Sequence, residues 1–424
     1  MMDIQELRVA LPSHKDLVRL ATQFSPILHP GFEEMLVFVI EELFEDRFSA
    51  EVQEKSAALV DYIWERLNMG HWADIPSDLR RCYSLSSLGK IVTSARNKDW
   101  KSALRACDMA LMMGAPFNEE NLLGNLADKI CASLTENISF EAFVKDSRTP
   151  FPEVESFRKD FMLLEELQRL ECPSIETFVR DFVVPGKPVV IEKAVEHWTA
   201  REWSLQRLLK LAGKRLIPVE LGSKYTDEDW SQGLMLFEDF VSKYVVPENP
   251  EQVAYLAQFD LFAHVPCLRD DFMVPDYCLQ EPEKVDINAW FGPKNTVSPL
   301  HTDPRGNCFV QVLGSKYVRL YCKEETPRLY AHDEGLLSNT SRVTDAENPD
   351  LVEFPDFKLA AGYDCVLGPG DLLYIPPGCW HYVKSLSTYL LPSDDAIITS
   401  FFGILDVILP PADACNSGKK TLFV

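Results

Sequence analysis

The sequence predicts an α+β protein, with an all-helical N-terminal domain followed by a sandwich or barrel of short strands. Two observations carry this. Up to about Leu134 the apolar residues recur at helical spacing, and from Val285 onward short β-prone runs alternate with Gly/Pro turns. Length agrees, since 424 residues at roughly 150 per domain leave room for two or three domains. With 46% hydrophobic residues the chain can bury sizeable cores, which excludes global disorder.

In the first part, Met35, Phe38, Val39 and Leu43 share one helical face, and Ala58, Leu59, Tyr62, Ile63 and Leu67 share another. A third helix opens at Asp99-Trp100, runs through Cys107, Ala110 and Leu111, and closes at Gly114-Ala115-Pro116, the Gly and Pro in the expected order. Paired helices of this kind suggest helical-hairpin repeats over residues 1–140. His14 and His71 are isolated there, so docking of a partner protein is the expected role. Residues 141–165 mix charge, Ser, Thr and Pro and are expected to be a linker. A second domain is expected over 166–409, with 410–424 as a polar tail. Its first strand is Val189 to Ile191. A helix from Ser204 to Leu211 with Ser204 as its cap leads to a strand from Arg215 to Glu220. Runs from Ile287 to Phe291, Phe309 to Leu313, Tyr317 to Tyr321, Leu372 to Ile375 and Tyr382 to Leu386 supply further strands.

The chain carries 65 acidic and 42 basic residues, a formal net charge of −23. A field of that sign repels phosphate, which argues against a broad nucleic-acid grip and suits Lys- or Arg-rich peptides as partners. The eleven cysteines are scattered without a C-x-x-C unit, and Cys82, Cys107, Cys131, Cys308 and Cys322 sit in apolar stretches. Such thiols behave as small hydrophobes and fit a reducing compartment, the cytosol or nucleus. Met1 to Leu11 has no signal-peptide core. The longest apolar stretch, Ala396 to Leu409, is broken by Asp406 and too short to span a bilayer. A soluble intracellular protein is expected.

One segment carries chemistry: Ser298-Pro299-Leu300-His301-Thr302-Asp303-Pro304. On an extended strand His301 and Asp303, two apart, point to the same face. His381, after the turn-strand-turn run from Gly370 to Pro377, supplies a third corner. Two imidazoles and one carboxylate form the facial triad of non-haem Fe(II) oxygenases, which leaves positions open for substrate and O2. An H-x-D pair alone is an ordinary polar strand end; the distal His behind that run makes the set specific. Such enzymes draw electrons from a co-substrate, usually 2-oxoglutarate, whose buried carboxylate needs a cation. Lys316, opening an otherwise apolar strand, is the candidate. Ser298 and Asn307 flank the motif and could donate hydrogen bonds to a carboxylate.

Asn288-Ala289-Trp290-Phe291-Gly292-Pro293, the H-x-D segment, Lys316-Tyr317, Tyr374-Ile375-Pro376 and Trp380-His381 together resemble a JmjC domain. Tyr225 to Gln232, Tyr255 to Gln258 and Cys107 to Gly114 extend the resemblance into the helical part. It implies a cupin double-stranded β-helix, or jelly roll, that binds Fe(II) and 2-oxoglutarate and uses O2. His301, Asp303 and His381 would be the metal ligands. Tyr255, Ser298, Asn307 and Lys316 would contact 2-oxoglutarate, with Trp290 lining the pocket. Glu220 and Trp230 would hold the substrate side chain, an acid and an indole face suiting a guanidinium or a methylammonium. The family's activities are arginyl C3-hydroxylation and demethylation of a dimethylated lysine in the histone H3 tail. Hydroxylation of Arg in basic proteins is favoured because a guanidinium pairs well with a carboxylate. Nuclear location and roles in chromatin regulation, transcription, the cell cycle and biological rhythms are further implications of the resemblance.

The chain departs from the family pattern near its C-terminus. Ser387 to Asp395 interrupts the final strand, and Ala396 to Leu409 follows without a tryptophan. Ile397 to Ile404 is β-prone and could take the missing strand's place. Otherwise the barrel wall beside His381 stays open, iron binding weakens, and the rival reading becomes a catalytically silent scaffold that binds basic proteins.

Overall fold

The computed structural model describes residues 3–44, 49–118, 120–135, 154–222, 230–247, 250–279, 285–333, 335, 337–386 and 403–408. Seven α-helices come first: α1 Ile4–Ala10, α2 His14–Phe24, α3 Pro30–Glu42, α4 Ala50–Leu67, α5 Ser77–Arg96, α6 Trp100–Met113 and α7 Leu122–Thr135. Their starts are written locally, since the side chains of Asp3, Ser13, Ser49 and Asp99 each accept a first-turn backbone N–H. Helix α6 stops at Gly114, as the Gly-Ala-Pro sequence predicts. Leu36, Ile63, Leu88 and Leu126 belong to the one core these helices share.

The second part contains the strands β1 Leu163–Glu166, β2 Arg169–Glu171, β3 Val189–Glu192, β4 Leu216–Leu221, β5 Ser231–Leu236, β6 Ala254–Phe259 and β7 Asp286–Phe291. They are followed by β8 Val297–Thr302, β9 Asn307–Leu313, β10 Lys316–Tyr321, β11 Ala361–Leu367, β12 Leu372–Ile375, β13 Trp380–Ser385 and β14 Gly403–Ile408. One sheet has the order β1-β11-β10-β13-β8, the other β2-β3-β12-β9-β14-β7-β6-β4-β5. Between them lies an inner core of Val190, Phe309, Val318, Leu320, Leu373 and Val383, with Trp290 packed against it. The outer face of the larger sheet packs on its own helices, including Leu205–Ala212, whose N-cap is Ser204. The outer face of the smaller sheet is covered by Leu329, Val343, Phe354 and Phe357 from the segment after β10. Two packed sheets enclosing a core, preceded by a helical domain, are the predicted α+β architecture.

Two expectations are corrected. The stretch read as a linker is structured from residue 154 onward. Phe157 stacks on Tyr317, Arg158 pairs with Asp364, and β1 runs parallel to β11. As an exposed sheet edge β1 buries little, so it carries no apolar signature. Residues 141–153 lie outside the described residues. At the other end, residues 397–402 of the β-prone run from Ile397 to Ile404 lie outside the described residues, and a strand forms at Gly403–Ile408. It sits between β9 and β7 in the larger sheet. The wall it completes is therefore across the barrel from His381, whose strand β13 is paired on both sides by β10 and β8.

The ten described cysteines are all free thiols. Among the described residues no helix is long and apolar enough to cross a membrane.

Candidate active site

Strand parity decides which side chains meet. On β10, Val318 and Leu320 face the inner core, so Lys316 does too, while Tyr317 and Tyr321 face outward. On β13 Val383 faces inward, which brings His381 and Ser385 with it. On β9 Phe309 faces inward and so does Asn307. On β4 Ile217 and Val219 face the outer core, which turns Glu220 inward.

His301 and His381 are direct cross-strand partners on β8 and β13, with ring centroids 4.1 Å apart. Asp303 follows β8, its Oδ2 3.7 Å from His381 Nε2. One potential ligand atom from each of the three lies within 4.8 Å of the others, the only such His/Cys/Asp/Glu set among the described residues. His301 Nδ1 lies 2.7 Å from the Pro299 carbonyl and His381 Nδ1 3.1 Å from the Cys379 carbonyl. A carbonyl can only accept, so each neutral ring carries its proton on Nδ1 and presents a lone pair on Nε2. Burial, and then the neighbouring His301, push the His381 imidazolium down to about 4, so this ring is neutral at pH 7. Two imidazoles and a carboxylate fit Fe(II). The outer edge of β8 is held as well: Asn339 accepts from the Thr302 N–H and donates to its carbonyl.

The side chains expected at the co-substrate lie in the same interior. Lys316 is 1% exposed, and its Nζ donates to the Tyr255 hydroxyl at 2.9 Å. Burial drags the Lys316 ammonium well below its ordinary value, a sign that an anion placed beside it would reverse. Ser298 hydrogen-bonds Tyr255, whose hydroxyl is pushed well up by burial and then by Glu220. A register shift between His381 and Val383 explains the placement of Ser298. Simple alternation would put Ser298 and His301, three residues apart, on opposite faces; the bulge brings both inward. Asn307 is 2% exposed, and its Nδ2 donates to Asp303 Oδ2 at 3.0 Å, so this amide holds a candidate metal ligand. Its Oδ1 is buried without a hydrogen-bond partner among the described residues, a polar atom left for an incoming group.

Glu220 lies opposite Tyr255 in the β4–β6 register and opposite Gln232 on β5. Trp230 Nε1 donates to Glu220 Oε2 at 3.3 Å. Burial raises the Glu220 carboxyl above its ordinary value, against the hydrogen bonds from Trp230 and Gln232. Glu220, Tyr255 and Lys316 thus form one line of polar side chains across the barrel interior. Sequence reasoning missed Ser385. It is the cross-strand partner of Lys316, 1% exposed, and its hydroxyl has no hydrogen-bond partner among the described residues. Only the β10–β13 register reveals it.

Fold and site together define a cupin-type oxygenase with an inward His-Asp-His set. Residues 175–402 match the Cupin-like domain family, and residues 45–139 match the KDM8-like, N-terminal ARM repeats. The chain is similar to lysine-specific demethylase 8 of Danio rerio, 40% identical over 399 residues that cover 90% of this chain and 96% of the relative. The namesake of Xenopus tropicalis is 36% identical over 378 residues, 77% of this chain and 85% of the relative. Jumonji C domain-containing protein 5 of Drosophila melanogaster is 36% identical over 345 residues, 77% of this chain and 82% of the relative. The chain belongs to the JmjC family of Fe(II)- and 2-oxoglutarate-dependent oxygenases that contains these proteins.

Proposed function

We propose that this oxygenase hydroxylates C3 of arginine residues in basic proteins. His301, Asp303 and His381 would hold Fe(II). Lys316, Tyr255, Ser298 and Asn307 would hold 2-oxoglutarate, with Trp290 lining the pocket. The bound iron and co-substrate supply oxidising power, one atom of O2 going to a substrate C–H bond and the other into succinate. The chain's own residues bind and orient. Lys316 neutralises the distal carboxylate, and Glu220 with Trp230 grips the substrate cation.

The observation that carries the reading is the half-buried Glu220 carboxylate, tethered by the Trp230 indole and one strand from Tyr255. A planar guanidinium can pair with that carboxylate through two parallel N–H bonds, which a dimethylammonium cannot do. A second reading, demethylation of dimethyl-lysine in a histone peptide, is favoured by the name that the relatives carry. Both place the protein on Arg- and Lys-rich partners such as histone tails and suit a nuclear site of action. Both also start from the same chemistry and part at the product. Hydroxylation at C3 leaves a stable alcohol, whereas hydroxylation of an N-methyl group collapses to formaldehyde.

Mass spectrometry of Arg-containing basic peptides after turnover should show the gain of one oxygen atom on arginine. Formaldehyde release without hydroxylated arginine would select the demethylase reading. No Fe(II) or 2-oxoglutarate binding by a folded chain would select the silent scaffold.

A further inference from the structure

A buried ion cluster lies where the helical domain meets the barrel. Arg215, immediately before β4, is fully buried, and its Nε donates to Asp108 Oδ1 at 2.7 Å. Its Nη1 donates to Asp128 Oδ1 at 2.6 Å, and its Nη2 donates to the His264 carbonyl. Asp108 lies on α6 and Asp128 on α7. The second oxygen of each acid takes a backbone N–H from the barrel domain: Asp108 Oδ2 accepts from Leu216 at 2.7 Å, and Asp128 Oδ2 from Cys267 at 2.8 Å. Each helical-domain acid therefore joins the guanidinium to a fixed point on the barrel backbone. Asn121, which donates to the Ala263 carbonyl, and Thr135, which donates to the Lys210 carbonyl, add two further ties.

What these ties hold is a particular strand end. The β4–β6 ladder pairs only Glu220 with Tyr255 and Leu221 with Ala254. At the start of β4, on the side away from β5, Leu216 meets side chains instead of a strand. Its N–H goes to Asp108, and His264 Nε2 lies 2.9 Å from its carbonyl. His264 and Cys267 belong to the segment that follows β6. Since β4 and β6 are antiparallel, the cluster grips the end of this pair opposite to the end that carries Glu220 and Tyr255. Glu220 is four residues from Leu216, about 13 Å along the strand at ~3.3 Å per residue. A buried ion pair is a poor source of net stability compared with apolar packing, but its geometry is exacting.

We propose that Asp108 and Asp128, acting through Arg215, are positioning residues that make the helical domain part of the substrate site by setting the placement of the strand that carries Glu220. The proposal rests on the reading of Glu220 as the substrate acid. The helical domain is then more than a docking module, because loosening its acids disturbs peptide binding at a distance.

The test uses the full chain. Asp128→Asn keeps a hydrogen-bonding side chain and removes one of the two carboxylates; Asp108→Asn is the stronger variant. Hydrogen–deuterium exchange should rise about tenfold in residues 216–221 and 254–259 of Asp128→Asn, with β9 and β10 unchanged. Calorimetry should show an Arg-containing peptide bound about tenfold more weakly, and hydroxylated product per succinate formed should fall. A simple loss of folded protein would leave that ratio unchanged and raise exchange everywhere. Exchange in 216–221 at the wild-type level, or raised uniformly across the molecule, overturns the proposal. Glu220→Gln is the companion variant. Undiminished peptide affinity there would overturn the substrate reading alone, and the exchange result would still decide whether the helical acids place the strand.

Discussion

Arg215 and Lys316 are both cations with essentially no exposed surface, yet they shift in opposite directions. Burial alone drives each toward its neutral form. At Arg215, Asp108 and Asp128 outweigh burial and hold the guanidinium above its ordinary value. At Lys316 burial wins, and the ammonium falls well below its ordinary value beside the Tyr255 hydroxyl. The first cation is saturated by carboxylates the protein brings itself. The second stands in a setting that an anionic ligand would improve. A buried charge matched by its own chain holds structure together, whereas one left costly by its chain marks a place for a ligand.

Substitution at the two sites should separate these roles. Arg215→Ala leaves the buried Asp108 carboxylate without its guanidinium partner, and the loss should be about 3–5 kcal/mol, read as a large fall in denaturation midpoint. Lys316→Met removes a charge that is unfavourable in the ligand-free protein, so its midpoint should hold or rise. Its affinity for a 2-oxoglutarate analogue should nevertheless fall by ~30-fold or more, the cost of an unpaired buried carboxylate. A stable Arg215→Ala, or a Lys316→Met that unfolds, breaks the comparison.

Asn307→Ala tests the next level, a buried amide with one partner inside the site. It frees Asp303 Oδ2 from its hydrogen bond and should weaken Fe(II) binding about 10–100-fold by titration, the usual effect of losing a group that orients a ligand.

Titration sharpens the same contrast. Between the depressed Lys316 value and the ordinary lysine value, the unfolded chain binds one more proton than the folded one. Ligand-free stability therefore rises with pH through that window, and the cost of the buried ammonium is fully present below it. A carboxylate ligand needs the charged form, so its affinity should fall by about tenfold per pH unit across the window. Lys316→Met should flatten both slopes. Calorimetry in buffers of different ionisation heat should detect proton uptake on binding; its absence would show that Lys316 is already charged.

How much of this was legible in the sequence follows from what each role demands. Metal ligation needs particular residue types, so His301, Asp303 and His381 stood out, and a lysine opening an apolar strand marked Lys316. Ser298 could be suspected, but its inward turn depends on a bulge between His381 and Val383 that no local signal announces. Ser385 is an ordinary serine until the β10–β13 register sets it opposite Lys316. Arg215 read as the first residue of a strand, because the acids that explain it lie 107 and 87 positions away. The helical periodicity was plain, whereas β1 hid in an apparent linker because an exposed edge has no apolar face. Local pattern reports which groups a chain buries; long-range register decides which of them meet.

Glu220 is the anionic counterpart of Lys316, and it carries the smallest effect. Burial raises its carboxyl above the ordinary value, and the Trp230 and Gln232 hydrogen bonds offset only part of that. Between the unfolded and the raised folded value, the folded chain binds the extra proton, so stability falls as pH rises through this window and the penalty is complete above it. Above that window the ionised Glu220 therefore costs stability in the absence of a cation. Glu220→Gln keeps the shape and an acceptor for the Trp230 indole, and should raise stability by up to ~1 kcal/mol, the ordinary size of a single-site change. The same variant should lose the pH slope and bind Arg peptides more weakly. Peptide addition should stabilise the wild type more than the variant, since only the wild type has a carboxylate to satisfy. If Glu220→Gln proved less stable than the wild type at neutral pH, Glu220 would belong with Arg215, among the charges the fold has already matched.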